Sequence, residues 1–248
     1  VLEQTIRAAS IALMLLSNII ASYFDIVSRE IPDKTWIPGV AASALALYYV
    51  LAHGDAVLRA LYLVDVMLGL VIFTLIFLLK LAGGADAKSI LLISLSVLPH
   101  REEASTLLSI LNLPVVSVIV NSLIGVLMYV IYICVKNRKS FRVCEQLYEL
   151  RGFEKILLRI SCLCLPVREI LRGKHKLYPL INKREFKPTL SVEDRVSVLM
   201  ELVDAGILRE SDLILAIYYM PYIVCITLGL VLHVALNGSL ISLIAKYF

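Results

Sequence analysis

Long apolar runs separated by short polar breaks dominate the first 135 residues of the chain. Such runs fit helices surrounded by hydrocarbon better than the striped helices of a soluble domain. The first, Ala8 to Phe24, stops at Asp25-Ile-Val-Ser-Arg-Glu-Ile-Pro-Asp-Lys34, where Pro32 steers Ile31 away from helical geometry. The second, Trp36 to Ala52, starts on an interfacial tryptophan. The third, Leu61 to Ala82, ends in Gly83-Gly84. A fourth run, Ser89 to Leu98, reaches only about 15 Å as helix. It predicts a half-span, or a helix continuing through Pro99 and His100. The fifth, Leu113 to Val135, is stopped by Lys136-Asn-Arg-Lys139, and a sixth extends from Leu213 to Leu236 despite Pro221. The tail Ser239 to Phe248 is too short to cross and is expected at the interface.

Between the fifth and sixth runs the pattern changes. Cys144 to Leu171 has helical periodicity, and Lys174 to Ile181 reads as a short strand or extended piece. Ser191-Val-Glu-Asp194 has capping-box spacing for a helix through Val203, with Gly206 as its stop. The predicted fold is therefore an α-helical polytopic membrane protein: six transmembrane helices with a small α/β insert between the fifth and sixth. The expected divisions are 1–135, 136–210 and 211–248. The first run lacks a basic leader and a small-residue cleavage site, so it is read as a permanent span.

Composition sharpens this picture. With 248 residues, 60% of them hydrophobic, 18% charged and a mean hydropathy of +0.87, the chain is too apolar for a water-soluble globule. Of its 24 Lys and Arg, 16 lie between Lys136 and Arg209. With the N-terminus outside, 20 basic residues fall on the inner side and four on the outer, which by the positive-inside rule makes the insert cytoplasmic. The net charge of +4 thus records orientation. No RNA-binding motif accompanies the basic insert, so membrane lipids, not nucleic acid, are its expected partners. The five cysteines, Cys134, Cys144, Cys162, Cys164 and Cys225, suit neither a disulfide framework nor a zinc site, and the pair Cys162 and Cys164 is expected to be ordinary buried or reduced thiols.

Carboxylates in or beside hydrocarbon are candidates for function. Asp65, near the outer end of the third run, is expected to reach headgroups or water. Asp25 ends a helix travelling inward and Asp86 begins one travelling outward, so both fall on the cytoplasmic side. Two carboxyl groups at one depth on different helices can divide general-base and general-acid work in hydrolysis. Opposite helix ends would supply the unequal acidities that such a division requires. Gly83, Gly84 and Ala85 before Asp86 permit a turn and a close approach of helices. Intramembrane acids also occur in transporters and ion-conducting proteins, which remain the rival class, together with a non-catalytic assembly factor on the same scaffold. Asn18, Asn121 and His233 are expected to make interhelical hydrogen bonds.

The segments Tyr23-Phe-Asp25-Ile-Val-Ser-Arg29-Glu-Ile31-Pro32 and Gly83-Gly-Ala-Asp86-Ala-Lys88 resemble those of the archaeal preflagellin and prepilin peptidases, type IV prepilin peptidase-like intramembrane aspartyl proteases. The resemblance implies that Asp25 and Asp86 are the catalytic pair, with Gly83, Gly84, Ala85 and Lys88 as motif support. Ala85 stands where the stricter form of the motif has Gly. It further implies archaellin and pilin-like precursors as substrates, losing a short basic leader at the cytoplasmic face of the cell membrane, with no metal or organic cofactor. The CxxC pair of bacterial relatives with a methyltransferase region is absent, so N-methylation is not expected.

Overall fold

A computed structural model describes residues 2–79, 83–100, 110–138, 140–147, 152–172, 177–180, 192–218 and 220–245. In chain order these form α1 (Leu2–Val27), a 3-10 turn (Asp33–Trp36), α2 (Ile37–His53), α3 (Ala56–Leu79), α4 (Gly84–Ser96) and α5 (Pro114–Lys136). There follow α6 (Phe141–Leu147), α7 (Gly152–Ser161), β1 (Cys162–Pro166), α8 (Val167–Arg172), β2 (Leu177–Pro179), α9 (Val192–Asp204), β3 (Leu213–Tyr218), α10 (Tyr222–Leu236) and α11 (Leu240–Ala245). They divide into two compact units: Val1–Val126 with Pro221–Phe248, and Leu127–Met220.

Among the described residues, five segments are long and apolar enough to cross a membrane: Leu2–Val27, Asp33–His53, Ala56–Leu79, Pro114–Lys136 and Tyr222–Ile244. The protein is a helical, multi-pass membrane protein. The fourth run behaves as its length demands: α4 has 13 residues and reaches only about 20 Å. The expected sixth run needs correction. Its first part, Leu213–Tyr218, is a strand, and the helix opens only at Tyr222, after Pro221. Proline lacks the N–H that a continuing helix would need and disfavours helical geometry in the residue before it.

The first unit has its main core where Met14, Ala42, Ile90, Ile93, Val97, Val115, Val118, Ile226 and Leu230 meet. Gly229 lets α10 lie directly on α5, since a Cβ there would stand 2.4 Å from the Val118 carbonyl oxygen. Polar groups complete the interior. Asp65, expected at the headgroups, is instead fully buried, and its Oδ1 accepts the Val115 N–H at 3.1 Å. That N–H lies in the first turn of α5, where no intrahelical acceptor exists, and an unsatisfied group at membrane depth is costly. The hydrogen bonds expected of Asn121 and His233 are present: Asn121 donates to Gly238 C=O and accepts from Leu240 N–H, and His233 Nδ1 meets Ser117 Oγ at 2.8 Å. The bond from Leu240, with Ser239 N–H donating to Asn112 Oδ1, ties down the start of the tail, which is expected at the interface.

The second unit is built on an antiparallel sheet of order β1-β3-β2, with Cys162 opposite Ile217 and Tyr178 also opposite Ile217 on the other side. Central β3 joins two clusters. Ile133, Leu163, Leu165, Val167, Ile170, Leu199, Ile214 and Ala216 form one, and Phe141, Cys144, Leu158, Cys162, Cys164, Leu180 and Leu215 the other. The helix expected from the capping box is α9, but Ser191 itself lies outside the described residues. The helical reading of Cys144 to Leu171 misses β1, whose apolar residues are buried on both faces and so do not alternate. The cysteine expectation also needs correction. Cys144 and Cys164 form a disulfide, while Cys134, Cys162 and Cys225 are free. β1 brings Cys164 against α6, a proximity that the 20-residue separation in sequence hides. Burial pushes the remaining Cys162 thiol up to about 11.

Candidate active site

Asp25 occupies the last turn of α1. The helix closes when the N–H groups of Ser28 and Arg29 both donate to Phe24 C=O, at 2.9 and 3.0 Å. Arg29 has φ +63°, an uncommon conformation for a residue with a Cβ. The chain turns away there while the guanidinium folds back, and Arg29 Nη1 meets Asp25 Oδ1 at 3.3 Å. Asp25 Oδ2 is buried without a hydrogen-bond partner among the described residues. The backbone N–H of Ile223, in the first turn of α10, lies within electrostatic reach of the Asp25 carboxyl. It makes no bond to Oδ2.

Asp86 lies in the first turn of α4. Its Oδ2 accepts the Gly83 N–H at 2.9 Å, and its own N–H donates to Gly83 C=O at 3.1 Å. A side-chain acceptor at this position satisfies one of the backbone donors that a helix start leaves open. A Cβ at Gly83 would stand 3.3 Å from Asp86 Oδ2, a tight contact from which the carboxyl would have to shift slightly. At Gly84 a Cβ would meet nothing within 4 Å.

The two carboxyl groups come from different helices and act on each other electrostatically, and the Arg29 charge acts on both. Beneath them Ala21, Trp36 and Ile223 form a small cluster, against which Ile31, Ala85 and Leu92 pack. Ala85 is thus part of the floor that joins α1, the 3-10 turn, α4 and α10. Lys88 turns outward, its Nζ 2.6 Å from Asp33 Oδ1, and fastens α4 to the 3-10 turn at an exposed position.

The remaining fastening is buried and polar. Ser89 Oγ donates to Asn18 Oδ1 at 2.8 Å, with both residues fully buried. Ser22 Oγ meets Thr227 Oγ1 at 2.8 Å and links α1 to α10. Asn18 is seven residues before Asp25 and Ser89 three after Asp86, so each shares a helix face with its aspartate. That spacing is the signal by which Ser89 could have been found in the sequence. Arg29 lies in the first motif, four residues after Asp25, whereas Ile223 and Thr227 carry no motif and only folding brings them to the site. Cys225 is also within electrostatic reach of both aspartates. Among the described residues no three His, Cys, Asp or Glu are grouped to hold a metal ion.

The model of the type IV leader peptidase family matches residues 12–134, a stretch that includes both aspartates and the glycine turn before Asp86. The match supports a prepilin peptidase-like family for this chain. No curated protein matches it. A type IV leader peptidase-like protease places hydrolysis of a peptide bond within the capacity of this membrane protein. The matched stretch ends within α5, before the sheet-containing unit has added its strands.

Proposed function

We propose that this leader peptidase-like protein is an aspartyl endopeptidase whose catalytic pair is Asp25 and Asp86. The observation that carries the reading is the electrostatic interaction of these two carboxyl groups, from the end of α1 and the start of α4, inside the segment matched to the family. In the reaction one carboxylate takes a proton from water as the oxygen attacks the scissile carbonyl carbon. The other, protonated, donates to the carbonyl oxygen. Collapse of the tetrahedral intermediate breaks the C–N bond, and the departing nitrogen takes up a proton. Arg29 offsets the repulsion that two nearby carboxylates would otherwise feel.

The proposed substrates are archaellin and pilin-like precursors, cut at the cytoplasmic membrane face with loss of their short basic leader. With the fourth run completing a crossing beyond the end of α4, the distribution of basic residues supports that orientation, with the N-terminus outside and the insert inside. The Cys144–Cys164 bond pulls the other way, because disulfides are rare in reducing compartments. The charge bias of 20 to four is the stronger argument. We place the division of labour at 1–135 for the catalytic helices and 136–210 for the insert, with 211–248 giving β3 to the insert's sheet before the last span and tail.

The test is cleavage of a purified archaellin precursor by the full chain in detergent, with the site of cutting determined by mass spectrometry. Release of the basic leader supports the reading. Intact precursor across several leaders would favour a transporter or a non-catalytic assembly factor.

A further inference from the structure

The second unit contains a cavity of about 800 Å³, within the range of small-molecule sites. It is lined by Arg138, Arg142, Lys155 and Arg159, with Phe141 beside them and Glu145 as its single acid. Arg138 lies in the turn after α5 and Arg142 in the first turn of α6, while Arg159 stands one turn after Lys155 along α7. The Glu145–Lys155 ion pair, 2.5 Å between Oε1 and Nζ, joins α6 to α7 and uses up the one acid against the one lysine. Three guanidinium groups remain. Arg138, Arg142 and Arg159 are exposed, and none has an acidic partner among the described residues.

The walls are held independently of any ligand. Asn137 is buried at the root of the cavity, where its Nδ2 donates to the carbonyls of Arg159 and Cys162, at 3.2 and 2.5 Å. Its Oδ1 accepts the Cys164 N–H at 3.1 Å. One side chain thereby fixes the end of α5 to the end of α7 and to β1. Three like charges gathered on a fixed frame repel one another, and an anion relieves that repulsion. Guanidinium groups suit phosphate in particular, because their planar donors can grip two oxygens at once.

We propose that this cavity binds a phosphate group. Its place in the chain points to where such a group is abundant. Arg138 follows Lys136, the last residue of a membrane-crossing helix, by two positions. At that helix end Lys136 Nζ lies 5.8 Å from the Tyr132 ring, a pairing of residues common at the boundary between hydrocarbon and headgroups. Anionic lipid headgroups and free phosphate in the adjoining water present the same chemistry. The inference is independent of the peptidase reading, and a basic leader would be repelled from this cavity.

The experiment uses the purified full chain in an uncharged detergent, titrated with dihexanoyl phosphatidylglycerol, dihexanoyl phosphatidylcholine and inorganic phosphate. Heat of binding is the readout. Phosphatidylglycerol is expected to bind, and the Arg142→Gln/Arg159→Gln variant to lose about tenfold or more in affinity, as befits the loss of charge-assisted hydrogen bonds. Arg142→Lys/Arg159→Lys should fall between the two, and both variants should keep the wild-type circular dichroism because these side chains are exposed. Phosphatidylglycerol binding that far exceeds phosphate binding assigns the site to lipid; equal binding assigns it to the phosphate group alone. The proposal is overturned if neither ligand binds, if phosphatidylcholine binds as tightly as phosphatidylglycerol, or if the Gln variant binds as the wild type does.

Discussion

The two units solve opposite solvent problems. In the first, large apolar side chains point outward: Leu78 is 70% exposed and Phe77 67%, as hydrocarbon allows. Its polar side chains turn inward, with Asn18, Asp65, Ser89, Asn121 and His233 all buried. In the second, the apolar residues of β1 and β3 are enclosed, and arginines such as Arg142 and Arg159 face out. Exposure of apolar area is costly in water and nearly free in lipid, so each unit sorts its residues by the surroundings it meets. What holds the helices of the first unit together is close packing and buried hydrogen bonds. The second rests on an ordinary hydrophobic core and a disulfide.

That contrast can be broken by substitution. The largest expected effect is in the second unit, where Leu199→Ala removes a fully buried side chain and should cost about 2–5 kcal/mol by denaturant unfolding. Equal stability would mean that its core is not as compact as the structure has it. Next, Cys144→Ser should remove about 3 kcal/mol from the same unit, given the loop its bond closes, and leave the helices of the first unit unaffected. Limited proteolysis distinguishes the units. In the first unit, Ser89→Ala strands the Asn18 oxygen and should cost about 1–3 kcal/mol, with precursor cleavage falling as α1 and α4 loosen. Ser89→Thr, which keeps the hydroxyl, should recover part of that loss. Smallest of all, Leu78→Ala on the lipid face should change stability by no more than about 0.5 kcal/mol. A loss comparable to that of Leu199→Ala would show that Leu78 packs against protein.

The same contrast explains which parts could be read from the sequence. The helices are legible because hydrocarbon demands continuous apolar runs: the expected second and fifth spans, Trp36 to Ala52 and Leu113 to Val135, differ from α2 and α5 by one residue at each end. The run Leu213 to Leu236 failed because hydropathy reports a preference for an apolar environment, which a buried central strand and a lipid-bathed helix share. Only Pro221 marked the division. Asp25 and Asp86 stood out as charges beside hydrocarbon. The buried cap made by Asp65 did not, since its partner is a backbone N–H 50 residues away. Arg29, four residues after Asp25, has a spacing that pairs side chains on a helix, but the left-handed backbone at which the chain turns away there carries no sequence signal.

The central claim is that two aspartates on different helices share one hydrolysis. It is tested most directly by timing precursor cleavage with Asp25→Asn and Asp86→Asn, each checked for wild-type helical content. Loss of general acid or base function predicts a fall of at least about a hundredfold in each single variant. The double variant should be little worse than either alone, because the pair acts as a unit. Cleavage at the wild-type rate in either folded variant would contradict the account.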